Sequence, residues 1–529
     1  MMILSAASAV LCATLAVAQA TSSPFVIEEA SIFKIQNAFA SGALTSAQLV
    51  QYYINKASDP KYRALNSILE INPDALALAQ AADSVRANCQ KQGAYCNLGP
   101  LHGIPILLKD NIGTGDKLNT TAASYALLGS KTQDSFIASQ LRKSGAIIYG
   151  KAAMSEWAGW RSMAPDFNGW NPRGGHVINP YVTDATPCGS SAGSAVATTS
   201  NLITVSLGTE TDGSIICPSA VNGLVGLKPT VGLTSRTGVV PLSHHQDSVG
   251  PIARSVADIA AVMDAIVETD PSDPASKGTQ GRKPVSYTLS LIYGTRGLGG
   301  ARIGVVDNTF DPVGDAFEYD VGQQTISVLT NLGAFVKHVN TSNIDLSFEF
   351  ENLATDFKMD LNQYLTTITN SPIKNIDDLV QFTQNNPLEQ IKTYDQELLL
   401  KSQNKTGYSD PVYISGENSR QLAKQQIINL FTQNGLDVLY SAGVSTSFIS
   451  IAATLGLPII TVPVTTSNLY LTTMFTSAKL SQKAFPIGIS LIGLPYSEGK
   501  LIQYAYAIEQ QTKARFQPGF VSEVGAPYP

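Results

Sequence analysis

The 529-residue sequence is poor in charge: Asp, Glu, Lys and Arg make up 14% of it, and 35 basic against 41 acidic side chains leave a net charge of −6. It has no basic run able to neutralise a phosphate backbone, which argues against nucleic-acid binding. Histidine is scarce: His102, His176, His244, His245 and His338 are all there are, and none follows H-E-x-x-H or another metal-ligand spacing. The five cysteines form no C-x-x-C pair, so no zinc pattern is present, and the Walker sequence of phosphate-binding loops is missing. Beyond the first twenty residues, no stretch reaches the roughly 18 continuous apolar residues that crossing a bilayer requires. No long linker interrupts the chain. With 44% hydrophobic residues it can bury a large core, and residues 21–529 are read as one large domain.

Residues 1–20 carry no charged side chain, run apolar from Met2 to Val17 and end in Ala18-Gln19-Ala20. This is the small-x-small pattern of a secretory signal peptide cleaved near Ala20; an uncleaved anchor and an N-terminal core helix are the competing readings. The expectation is a secreted protein with no membrane segment after cleavage. Cys89 and Cys96 lie close together in a polar loop, which suits a short disulfide in an oxidising compartment. Cys188 and Cys217 sit among small, apolar residues and read as buried thiols. Sequons occur at Asn119, Asn340 and Asn404. Asn119 falls in a stretch assigned to the core of the site, so glycosylation is expected at Asn340 and Asn404 only.

The apolar periodicity of residues 27–57 predicts two helices, with Thr45-Ser46 capping the second. Residues 64–70, 104–109 and 146–150 read as short buried strands. The small-residue segment Ser191–Ser200 is helix-compatible, Leu202–Leu207 is a strand and Val256–Val267 an amphipathic helix. A Pro/Gly/Ser-rich stretch at 270–300 reads as a loop or insertion before the strand 302–306. A helix at 318–332, a polar, mostly helical section at 345–433, strands at 437–440, 459–462 and 487–492, and a helix at 499–512 complete the alternation. The pattern argues for an α/β fold, a mixed, twisted sheet covered by helices on both faces.

Two catalytic readings compete for the Gly/Ser-rich centre. Gly189-Ser190-Ser191-Ala192-Gly193 matches G-x-S-x-G, which would make Ser191 the nucleophile of an α/β-hydrolase-type esterase. A histidine after it would have to come from His244, His245 or His338, none near the chain end. Taken alone, the segment also fits a plain Ser-rich helix cap. The second reading uses Gly208-Thr209-Glu210-Thr211-Asp212-Gly213-Ser214 after a strand, a polar turn whose successive N–H groups suit an oxyanion hole. Ser214 then attacks, and Ser190 and Lys109 form a proton relay without histidine.

Gly99-Pro100-Leu101-His102-Gly103-Ile104-Pro105 leading to Lys109-Asp110-Asn111, the segments Gly189–Ser194 and Gly208–Pro218, Gly223–Thr230 and Gly250–Ser255 together resemble the amidase signature family, over nearly the whole chain. Within it, Ser155-Glu156-Trp157-Ala158, Pro187–Ser191 and Thr209–Ser214 look most like the peptide amidases, which remove a C-terminal carboxamide. The resemblance implies the amidase signature fold, with its catalytic core at about 99–265, and a Ser-Ser-Lys triad. Ser214 is then the acyl-forming nucleophile, Ser190, after a cis Gly-Ser bond, the bridge, and Lys109 the base. The backbone N–H groups of Thr211, Asp212, Gly213 and Ser214 form the oxyanion hole. It implies no cofactor and no metal; the partner is a small-molecule or peptide amide.

Lys109 must be neutral to accept a proton, and its neighbours Ile106, Leu107 and Leu108 suggest the burial that would lower its pKa. Strand alternation sends Asp110 to the opposite face and keeps Asn111 on the face of Lys109. Two departures stand out. Asp212 occupies a position that is glycine in the commonest family turn, and its carboxylate would oppose an oxyanion unless it points away or holds a substrate N–H. Ile216 and Cys217 stand where many relatives carry an arginine, which disfavours small half-amides of diacids. The reading is a secreted amidase acting on a primary carboxamide. Its alternatives are an amidase of fatty-acid or aryl amides, the ammonia-supplying component of a tRNA-charging amidotransferase, and a non-catalytic binder.

Overall fold

The computed structural model describes residues 25–91, 93, 98–309, 316–467 and 485–519. The expected signal peptide and Cys96 lie outside them. Thirteen strands are described: β1 (Ile68–Ile71), β2 (Pro105–Lys109), β3 (Ile147–Ala152), β4 (Trp170–Asn171), β5 (Gly175–His176), β6 (Val205–Glu210), β7 (Val225–Lys228), β8 (Ser248–Ala253), β9 (Arg302–Val306), β10 (Phe335–Val339), β11 (Val438–Ala442), β12 (Ile459–Ser467) and β13 (Phe485–Gly493). Eleven of them form one sheet in the order β1-β3-β2-β6-β8-β7-β12-β13-β11-β9-β10, and β4 and β5 form a separate hairpin. The sheet is mixed. β2 runs parallel to β3 and β6, and β9 parallel to β10 and β11, while the remaining pairs are antiparallel.

The apolar runs of β2, β3 and β6 are buried along their whole length, as strands covered on both faces must be. Ser31 caps the helix Ile32–Ser41, and Thr45 with Gln48 forms a capping box for Ser46–Ser58. The helix Ala192–Thr199 is entirely buried. Its small side chains allow close approach: a Cβ on Gly193 would come within 2.4 Å of the carbonyl oxygens of Ala153 and Ser67. The expected loop at 270–300 contains three 3-10 turns, Pro274–Thr279, Tyr287–Leu291 and Gly294–Leu298, with Tyr287 and Leu298 buried.

The strand expected at Leu202–Leu207 is shifted. Asn201 takes a left-handed backbone (φ 55°) and exchanges hydrogen bonds with Glu29, so a turn occupies residues up to Thr204 and β6 extends to Glu210. β7, β8 and β10 were not anticipated. In β8, Gly250 and Pro251 break the apolar pattern, yet a Cβ on Gly250 would lie 2.0 Å from the Leu227 carbonyl, so glycine is what lets β7 and β8 pair. The extension of β6 carries its carboxyl end, with those of β2 and β3, to one edge of the sheet, where open α/β sheets hold ligands.

Gly193→Ala is expected to destabilise the protein by about 2–3 kcal/mol or more, because both contacts are rigid backbone. A chemical denaturation midpoint equal to wild type would refute that packing account.

Candidate active site

Lys109 ends β2 with no exposed surface. Its Nζ lies 2.7 Å from Ser190 Oγ and donates to the Thr209 carbonyl at 2.8 Å. Burial lowers its pKa from 10.5 to about 7, although the charges of Asp247 and Glu210 oppose the shift. Asn111 shares this side of the strand and donates to Thr209 Oγ1 at 3.0 Å. Asp110 faces away, accepting from Thr121 Oγ1 and from the Ala123 N–H at 2.9 Å.

Ser190 follows a cis peptide bond from Gly189. Its carbonyl accepts from the Ser155 N–H at 3.1 Å, and a Cβ on Gly189 would meet Ser155 Oγ at 2.4 Å, so any larger residue there must displace the Ser155 hydroxyl. The Ser191 N–H donates to the Ser214 carbonyl at 3.2 Å, which holds the two serine segments together. Ser191 itself turns inward. Its Oγ donates to the Thr209 carbonyl at 3.1 Å and accepts from the Thr209 N–H at 3.3 Å, securing the end of β6. The candidate histidines are occupied elsewhere, His244 and His245 with Asp360 and Asp356, and His338 with Asp307.

The turn after β6 is anchored at every residue. Thr211 Oγ1 donates to Asp247 Oδ1 at 2.6 Å, and its carbonyl accepts from Gln246 Nε2 at 3.3 Å. Asp212 Oδ2 accepts from Ser450 Oγ at 2.7 Å. Gly213 needs its positive φ of 78°, and its carbonyl accepts from the Cys217 N–H at 2.8 Å. Glu210 Oε2 accepts from the N–H groups of Ile215 and Ile216 at 2.6 and 2.9 Å, which sets the chain direction just past Ser214. The Gly213 N–H also acts on the Glu210 carboxyl. Among the described residues, no protein acceptor takes the N–H groups of Thr211, Asp212 or Ser214. These three are the donors that remain for a ligand oxygen, and Gly213, expected among them, leans toward Glu210.

The Asp212 carboxyl is pushed well above the usual range by burial and by the neighbouring carboxyl of Glu349. The shift is in the direction that lessens its opposition to a negative charge in the turn. Burial likewise raises Asp247 to about 6, against the pull of its donors Thr211, Leu242 and Ser243. A narrow cleft touches Thr209, Thr211 and Asp247 but neither Ser190 nor Ser214, so it adjoins the serines rather than enclosing them.

Cys188 and Cys217, expected as free buried thiols, form a disulfide with Cα atoms 5.9 Å apart. Twenty-nine positions separate them in sequence, and only the return of the chain past Ser214 brings them together. The bridge joins the residue before Gly189-Ser190 to the helix that follows Ser214. Cys89 is also in a disulfide; its expected partner, Cys96, lies outside the described residues. Glu210, Gln246, Asp247, Ser450 and Glu349 escaped sequence reasoning as site residues. Glu210 stood inside a motif, but the other four reach the turn from distant segments and carry no local signal.

The Amidase family profile matches residues 48–502. An Arabidopsis thaliana protein named "Probable amidase" is 41% identical over 506 residues, covering 95% of this chain and 93% of that protein. The crystal structure of native peptide amidase from Stenotrophomonas maltophilia superposes with a TM-score of 0.84 at 37% identity, covering 94% of this chain and 100% of that one. The crystal structure of an amidase family protein from Bacillus anthracis superposes with a TM-score of 0.82 at 28% identity, covering 93% of this chain and 92% of that one. With its large mixed α/β sheet and these relatives, the chain belongs to the amidase family and is a hydrolase of carbon–nitrogen bonds.

Proposed function

We propose that this hydrolase cleaves primary carboxamides through Ser214, Ser190 and Lys109, with peptide C-terminal amides as the substrate class. The observation that carries the reading is the fully buried Lys109 amine, 2.7 Å from Ser190 Oγ and with a pKa lowered to about 7. Neutral Lys109 takes a proton from Ser190, which takes one from Ser214 as that hydroxyl attacks the amide carbon. The oxygen that becomes negative is met by the N–H groups of Thr211, Asp212 and Ser214. Losing one such donor costs about 3–4 kcal/mol of transition-state stabilisation. The proton returns through the relay to the departing nitrogen, ammonia leaves, and water cleaves the acyl-enzyme. The peptide preference is supported by the similarity to the Stenotrophomonas peptide amidase, and the reading includes no cofactor.

The same reading includes secretion after cleavage near Ala20. The Cys188–Cys217 bridge is in keeping with an oxidising compartment. Asn340 and Asn404 are exposed and remain the proposed glycosylation sites, whereas the Asn119 side chain donates to both Glu70 carboxylate oxygens.

Lys109→Met is expected to lower kcat/KM by about 10²–10⁴-fold. In the wild type, kcat/KM should rise with pH through about 7 as the amine loses its proton. Stability supplies an independent readout. The folded pKa lies below the unfolded one, so between about 7 and 10.5 only the unfolded chain keeps this proton, and wild-type stability gains on Lys109→Met as pH rises. A pH-independent difference in unfolding free energy would contradict the lowered pKa.

Ammonia release across peptide, fatty and aryl amides tests the substrate class, with peptide amides expected to give the highest kcat/KM. Turnover of fatty amides alone would overturn it. A fluorophosphonate should label wild type and not Ser214→Ala; labelling lost instead in Ser191→Ala would favour the esterase reading.

A further inference from the structure

The loop Leu242–Asp247 carries two adjacent histidines whose ring centroids lie 3.8 Å apart at a tilt of 42°. Both face the helix Glu349–Leu365. His244 Nδ1 lies 2.9 Å from Asp360 Oδ2 and 3.8 Å from Asp356 Oδ1, and His245 Nδ1 lies 3.1 Å from Asp356 Oδ2. Asp356 and Asp360 are one helical turn apart and so share a face. From the helix Pro411–Asn434, Glu417 Oε2 approaches His245 Nε2 at 3.3 Å. Ser243 and Tyr413 donate to Asp356 at 2.5 and 2.7 Å, and Tyr408 donates to Asp360 at 2.7 Å.

Three carboxyl groups thus surround two imidazoles. The nearby cations are engaged: Arg236 grips Asp273 at 2.7 and 2.9 Å while its Nη1 donates to the His244 carbonyl, and Arg420 Nε donates to Glu417 Oε1 at 3.0 Å. Among the described residues, no lysine or arginine pairs with Asp356 or Asp360. The buried Asp356 carboxylate thus has only the two imidazoles and the Ser243 and Tyr413 hydroxyls to answer its charge.

We propose that His244, His245 and Asp356 form a binding site for a divalent transition-metal ion of the zinc class. One ligand atom from each lies within 4.8 Å of the others. In a tetrahedral site with bonds of about 2.0–2.1 Å, donor atoms stand about 3.3 Å apart, so shifts of about 1 Å close the set. Two imidazole nitrogens with carboxylate oxygen suit zinc rather than magnesium or calcium, which favour oxygen alone. With His245 Nδ1 on the metal, its Nε2–H is left to donate to Glu417, the outer carboxylate that fixes such a ring. Asp360 Oδ2, beside His244 Nδ1, is outside this mutual set, so the fourth position is left to water. The His244 side chain is 42% exposed, which gives the ion a way in. The same loop holds Thr211 through Asp247 and Gln246, so an ion would brace the turn without taking part in the chemistry. The site stands independently of the proposed reaction.

The test uses the full, tag-free protein stripped with a chelator and titrated with zinc chloride by calorimetry, then with cobalt as a coloured substitute. One equivalent of zinc should bind and raise the Tm, and cobalt should give the strong visible bands of a tetrahedral site. In His244→Gln and in His245→Gln, both partly exposed positions, zinc affinity should fall at least tenfold and the cobalt bands should be lost. Absence of stoichiometric zinc binding, or unchanged affinity in His244→Gln, would overturn the proposal and leave a hydrogen-bonded His–Asp cluster.

Discussion

The site depends on an amine taken out of water. Lys109 ends a strand buried on both faces, and the desolvation that a cation suffers there brings its pKa to about 7. Two other lysines in the sheet are as deeply buried, and the comparison is instructive. Lys151 donates to the Ile112 carbonyl and to Thr120 Oγ1, and Lys228 donates to the Pro229 carbonyl; burial lowers both to about 8. Of the three, only Lys109 is aimed at a serine hydroxyl, Ser190 Oγ at 2.7 Å. Burial alone does not make a base; in the proposed reaction, the neighbouring Ser190 hydroxyl would supply the path that burial does not.

Around that amine, the chain fixes positions more than it supplies reactive groups. Glu210 orients the backbone past Ser214, Asp247 and Gln246 hold Thr211, and Ser450 holds Asp212. The Cys188–Cys217 bridge couples the Ser190 strap to the helix after Ser214. These anchors come from four separate parts of the chain and leave the N–H groups of Thr211, Asp212 and Ser214 clear of internal acceptors among the described residues. In the proposed reaction such preorganisation would be effective because the donors need not reorient. The upward shift of the Asp212 carboxyl fits the same logic, since a charged one would work against it.

Much of this was legible in the sequence, and the failures have physical causes. The apolar runs of β2, β3 and β13 announced buried strands, and Asp110 and Asn111 fell on opposite faces as alternation requires. β7 and β8 were hidden because Gly226, Gly250 and Pro251 break the apolar pattern; a Cβ on Gly250 would meet the Leu227 carbonyl of the neighbouring strand, and one on Gly226 would meet Ser219 of the helix after Ser214. β6 began late because Asn201 turns the chain. The disulfide could not be read from Cys188 and Cys217, whose surroundings are as small and apolar as those of free buried thiols. His244 and His245 carried no metal-ligand spacing because their partners, Asp356 and Asp360, come more than a hundred positions later.

The central claim is that Lys109 is an uncharged amine near neutral pH. Direct NMR titration of its side chain in protein labelled at lysine Cε, assigned by comparison with Lys109→Met, measures this without reference to turnover. The account predicts a single ionisation near pH 7 that disappears in the variant. A Lys109 signal that stays cationic to pH 10 would contradict it.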